Sequence, residues 1–215
     1  MFGLAKLGGV LLACACLVTA AQSAESKDNF NTRGNAAFEN VYGKAVPPIG
    51  FIEMCERLPD ECSRIGGKPM RLSLSSERWN LIYQVNTFVN NKIAPVSDEE
   101  LYGKPEYWTI PTDAGDCEDY LLLKKRYLEG LGFPSEALLI TVVLDEKNQG
   151  HAVLTVTTDK GDVVLDNRRN EVLLWNETGY TYLKRQSAGD PKAWVSLIRT
   201  QPQTTGNFAA GGSRK

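Results

Sequence analysis

The stretch "DCEDYLLLKKRYLEGLGFPSEALLITVVLD", residues 116–145, carries two periods in succession. Up to Phe133 the apolar residues keep helical spacing, with Leu121, Leu122, Leu128 and Leu131 on one face. Asp116 suits the N-cap, Asp119 stands at the third helical position in a variant of the capping box, and Gly130 or Gly132 can end the helix. After Pro134 the chain becomes a nearly continuous apolar run rich in Val, Ile and Thr. That run predicts a strand buried on both faces or nearly so.

Downstream, "EKNQG" turns the chain, "HAVLTVTTD" alternates, "KG" turns again, and "DVVLDN" makes a third strand. "YTYLKRQS" reads as a fourth, and "SAGDPKAWVSLI" closes the globule. Upstream, "LSLSSERWNLIYQVNTFVNNKI" predicts a helix capped by Ser75 or Ser76, with Trp79, Ile82, Val85, Phe88 and Val89 facing the core. Between the helices, "PVSDEELYGKPEYWTIPTDAG" reads as a long irregular connection, of the kind that lines a site. Trp108, on that connection, either lines a cleft or belongs to the core. Helix, helix, then an antiparallel meander is an α+β fold.

The ends read differently. "MFGLAKLGGVLLACACLVTAAQSAES" predicts a secretory signal peptide over 1–24, cut after Ala24. Its apolar stretch is too short to span a membrane, which takes about 20 residues. A polar, flexible lead-in follows over 25–44, one domain over 45–200, and a Gly-rich disordered tail over 201–215. The net charge of -2 leaves no electrostatic footprint for nucleic acid.

Without the signal three cysteines remain. Cys55 and Cys62 form a disulfide in the plain reading of an exported chain, leaving Cys117 over. Acidic neighbours on both sides make its thiolate harder to form. Cys117 is therefore a buried structural thiol, a metal ligand, or a nucleophile activated from elsewhere. The chain holds one histidine, His151, which opens a strand. Asp166, on the next strand, shares a face with it if the two pair antiparallel. A tight Lys160-Gly161 turn offsets the pair by about four residues, and a bulge or longer loop brings them closer. A thiol at a helix start lies near free N–H groups and the positive end of the helix dipole. An imidazolium adds a full charge. Asp116 and Glu118 are expected to point away around the helix, and a bound cation is the obvious device to neutralise them. Carboxylate oxygens suit calcium.

"PTDAGDCEDYLLLKKRYLEGLGFPSEALLITVV", "GHAVLTVTTDKGDVVLDN" and "TGYTYLKRQSAGDPKAWVSL" resemble the bacterial transglutaminase-like cysteine proteinases, the LapG type among them. The likeness runs over about residues 45–200 and takes in "MCERLPDEC" and "RWNLIYQVNTFVN". It implies a papain/transglutaminase-like core with the nucleophile at a helix N-terminus packed on an antiparallel sheet. In that core Cys117 is the nucleophile, His151 the base and Asp166 the orienting acid. It also implies calcium on Asp116, Glu118 and Asp119, and a periplasmic endopeptidase acting on a protein substrate. For the LapG type that substrate is a large surface adhesin whose cutting ends biofilm attachment, and an inner-membrane receptor sensing a cyclic dinucleotide holds the enzyme back. Two rivals keep the same residues. One is a transglutaminase or other acyltransferase using the triad with an amine acceptor, and the other a non-catalytic calcium-dependent binding module.

Overall fold

The computed structural model describes residues 37–63 and 68–199. The expected signal peptide, most of the lead-in and the expected tail lie outside the described residues. The elements run β1 (Gly43–Ala45), α1 (Ile49–Arg57), α2 (Pro59–Ser63), α3 (Ser76–Lys92), β2 (Ala94–Pro95), α4 (Asp98–Tyr102), β3 (Ala114–Gly115) and α5 (Cys117–Gly130). Six strands follow: β4 (Leu138–Leu144), β5 (Gly150–Thr158), β6 (Gly161–Asp166), β7 (Arg169–Leu174), β8 (Thr181–Ser187) and β9 (Asp190–Ser196). Helices packed against one large antiparallel sheet make the fold α+β.

The sheet order is β1-β9-β8-β4-β5-β6-β7. A meander therefore covers β4 to β7, as expected, but the chain then returns across the sheet and lays β8 against β4. β7, "RNEVLL", is a strand that polar residues at its start disguise as a loop. β5 does not alternate between buried and exposed positions: everything after Gly150 is buried. Ala152, Leu154 and Val156 join the core formed with Ile82, Val85 and Val89 of α3 and Leu121 and Leu128 of α5. On the other side Val153 packs in a smaller cluster with Val143, Val164 and Tyr182. The polar members of the alternation bond to each other there, Thr141 and Thr155 meeting at 2.7 Å between hydroxyls.

Ser75 caps α3 by accepting the Arg78 N–H at 3.2 Å, as the sequence suggests. Phe88 departs from expectation: it is 52% exposed, one position off the buried Val89, and meets the Tyr127 ring edge-on. Leu131 is likewise exposed, because it lies past the last helical residue of α5. The 95–115 connection contains a short helix, α4, capped by Ser97 and closed by Gly103 in the left-handed region at φ 64°. Trp108 is core, 3% exposed and edge-on to Phe51, with its indole N–H donated to Glu106. Cys55 and Cys62 form the expected disulfide, which ties α1 to α2.

Candidate active site

The register of β5 and β6 decides whether His151 and Asp166 meet. The turn between them is Asp159-Lys160, so that Thr158 faces Gly161 and Leu154 faces Leu165. This is one residue earlier than a Lys160-Gly161 turn. Gly161 takes φ 139°, and a Cβ there would strike Leu174 at 2.7 Å, so only glycine suits the position. Continuing the register places Asp166 across from Val153, two residues from His151 and on its face. The His151 Nε2 to Asp166 Oδ1 distance is 2.9 Å, and both side chains are buried.

Asp166 is surrounded by donors. Oδ1 also accepts the Arg168 N–H at 3.0 Å, and Oδ2 accepts the Tyr180 hydroxyl at 2.6 Å, with Arg169 Nε at 3.4 Å. Burial alone pushes this carboxyl up, but the bonds from His151, Tyr180 and Arg168 outweigh it and bring it down to about 2. Asp166 is thus an anion at neutral pH and can only accept. The proton of a neutral His151 therefore sits on Nε2. Nδ1, buried and without a hydrogen-bond partner among the described residues, is left as the basic nitrogen.

Cys117 is the first residue of α5, and Asp116 is its N-cap in extended conformation. Asp116 makes no side-chain capping bond. Asp119 Oδ1 accepts the Thr109 N–H at 2.8 Å, tying the 95–115 connection to the helix. The sulfur lies against the backbone N–H of Ala152, the residue after His151. One expectation fails at this point. Glu118 does not point away: its Oε2 lies 3.0 Å from Cys117 Sγ and accepts the thiol proton. Burial pushes the Cys117 thiol well up, the Glu118 carboxylate adds to that, and the Ala152 N–H works in the opposite direction.

The carboxylates form one cluster. A ligand atom each from Asp116, Cys117 and Glu118 lie within 4.8 Å of one another, as do one each from Asp98, Asp116 and Asp119. Asp98, which sequence reasoning missed, comes from the start of α4; its N–H donates to Asp116 Oδ2 at 3.4 Å, and its own Oδ2 accepts the Tyr107 N–H. Nothing in the spacing ties residue 98 to residue 116, since an acid after a serine cap is ordinary helix chemistry. Burial first, and neighbouring carboxylates after it, push Glu118 up to about 9 and Asp119 up to about 8, and raise Asp98. Asp98 Oδ1, Asp116 Oδ1 and Asp119 Oδ2 are buried and without a hydrogen-bond partner among the described residues. Three orphaned carboxylate oxygens in one cluster fit a hard cation that takes oxygen ligands. Gly115 makes room for the arrangement, because a Cβ there would meet Asp119 Oδ2 at 2.5 Å.

No curated protein matches the sequence. Among solved structures, Legionella pneumophila LapG is similar at 25% identity over 55% of this chain and 68% of that one, with a TM-score of 0.47. Its calcium-bound form is similar at 24% identity over 59% and 73%, with a TM-score of 0.48. The EGTA-treated form is similar at 26% identity over 52% and 64%, with a TM-score of 0.45. The family model of the bacterial transglutaminase-like cysteine proteinases matches residues 41–202, and the chain belongs to that family.

Proposed function

We propose that the protein is a calcium-dependent cysteine endopeptidase exported to the periplasm, with Cys117 as nucleophile, His151 as base and Asp166 as orienting acid. The observation that carries the reading is the buried imidazole, whose Nε2 is committed to an anionic Asp166 while Nδ1 has no hydrogen-bond partner among the described residues, with the Cys117 sulfur against the backbone N–H of Ala152, the next residue in the chain. His151 takes the thiol proton at Nδ1, and the sulfur attacks the peptide carbonyl carbon, forming a C–S bond. The C–N bond breaks as His151 returns that proton to the departing amine. Water, deprotonated by His151, then attacks the thioester, releasing the acid and restoring the thiol. The backbone N–H of Cys117, at the start of α5, supports the developing oxyanion.

Asp116, Glu118 and Asp119, joined by Asp98, are the residues that would hold calcium, and three orphaned oxygens support the choice. Bound there, the ion supplies the positive charge that the cluster lacks. The resemblance extends the proposal to a large surface adhesin as substrate, biofilm attachment as the process controlled, and a cyclic-dinucleotide-sensing receptor as the restraining partner.

The test compares cell-surface proteins in cells carrying the wild-type chain or Cys117→Ala. One large protein should stay uncut in the variant, and purified enzyme should cut it with calcium but not with EGTA. An unchanged surface, or full activity of Cys117→Ala, would overturn the proposal. Incorporation of a labelled amine without hydrolysis would instead establish acyl transfer.

A further inference from the structure

We infer that Tyr180 is a positioning residue that fixes the tautomer and the orientation of His151 through Asp166. This rests on the reading of Cys117, His151 and Asp166 as the catalytic set. Tyr180 belongs to none of the strands carrying those residues. It follows Gly179, which takes φ 80°, and its own N–H donates to the Thr178 hydroxyl at 3.3 Å. The turn sends the ring back over the β5–β6 corner. There it makes two contacts with the pair. Its hydroxyl donates to Asp166 Oδ2 at 2.6 Å, and its ring stands edge-to-face to the imidazole, with centroids 5.6 Å apart and planes at 84°.

The two contacts act on different freedoms. A carboxylate held only at Oδ1 can rotate about its Cβ–Cγ bond and present either oxygen to the imidazole. With Oδ2 bound to Tyr180, Oδ1 is the oxygen left for Nε2. The ring blocks the tilt that would carry Nε2 out of line. Arg169 backs the arrangement: its Nη2 donates to the Tyr180 hydroxyl at 2.9 Å, so the hydroxyl's own proton goes to Asp166. The guanidinium also lies 5.1 Å from the Tyr180 ring centroid. Outer partners of this sort set which ring nitrogen carries the proton.

The chain has a single histidine, so an untagged full-length sample labelled with 15N-histidine reports His151 alone. With calcium present, the wild type should show a slowly exchanging proton on Nε2 and a bare Nδ1. Tyr180→Phe keeps the ring and loses the hydroxyl. It should speed Nε2–H exchange roughly tenfold, the scale of one hydrogen bond to a charged group, and mix in the other tautomer. Arg169→Gln should do the same to a smaller extent, and serves if the phenylalanine variant fails to fold. Tyr83→Phe, on the exposed side of α3, should change nothing. Spectra and exchange unchanged in both Tyr180→Phe and Arg169→Gln would overturn the inference. Iodoacetamide labelling of Cys117 in the same samples separates the two readings. Altered His151 spectra with unaltered labelling uphold the role of Tyr180 and count instead against coupling of Cys117 to His151.

Discussion

Asp166 and Asp119 are both buried aspartates, 2% and 0% exposed, yet one is held down at about 2 and the other pushed up to about 8. Burial acts on them in the same direction, so the difference comes from their neighbours. Asp166 meets an imidazole N–H, a backbone N–H, a phenol and a guanidinium. Asp119 has the Thr109 N–H on one oxygen, while Asp98 and Asp116 face it and its other oxygen has no hydrogen-bond partner among the described residues. The β5–β6 corner is electrostatically complete within the chain. The start of α5 is not: its carboxylates are left to take up protons or to bind a cation.

The contrast breaks most visibly at Asp166. Asp166→Asn replaces one acceptor oxygen with a donor, so two of the four donors around it lose their acceptor and the His151 tautomer is no longer imposed. We expect the cleavage rate to fall by about 10³–10⁴-fold, as when the orienting acid of a comparable triad is made an amide. Rates measured on a protein substrate at equal folded enzyme give the answer. A loss under tenfold would mean that the corner is structural only.

At Asp119 the prediction runs the other way. Without metal near pH 7 folding forces a proton onto this carboxyl, which is ionised in the unfolded chain, so Asp119→Asn, which needs no proton, should be more stable than wild type in EGTA by up to a few kcal/mol. Calcium at a hundredfold excess over its Kd should stabilise the wild type by about 2.7 kcal/mol. For a chain of this size that is a rise in Tm of roughly 5–10 °C. The variant should lose most of this rise. Equal melting curves with calcium and with EGTA in the wild type would remove the cation from the α5 cluster.

How much of this the sequence discloses depends on how local each contact is. The change of period across Phe133 and Pro134 places α5 and β4 directly. The hairpin limits His151 and Asp166 to a separation of a few residues, and the true offset of two turns on whether the turn begins at Asp159 or Lys160. Residues brought in by long connections leave no such trace. Asp98 arrives on α4, Tyr180 arrives from the turn before β8, and β8 finds β4 rather than its predecessor β7. The direction of Glu118 also escapes, because a neighbour in sequence points away on a regular helix, whereas Cys117 is only the first residue of α5 and a flexible Glu side chain can curl back.

The smallest effect is the most diagnostic for the comparison, because it isolates the charge of Asp166 from the catalytic step. Its folded pKa lies below the ordinary 3.8, at about 2, so the folded state binds this proton less readily than the unfolded one. Its contribution to stability is therefore complete above about pH 4 and is lost as pH falls through about 2. The size is about 2.5 kcal/mol, from a shift of nearly two pH units at about 1.4 kcal/mol each. Urea unfolding of wild type and Asp166→Asn in EGTA should show the stability gap between them shrinking by most of that amount from pH 5 to pH 2.5. Asp119→Asn should show the opposite trend: its advantage over the wild type in EGTA is largest at pH 5 and fades toward pH 2.5, because the folded wild type holds this proton throughout while the unfolded chain takes it up only as pH falls through about 4. A gap that stays constant for Asp166→Asn would mean that the four donors around Asp166 pack against it without holding its charge.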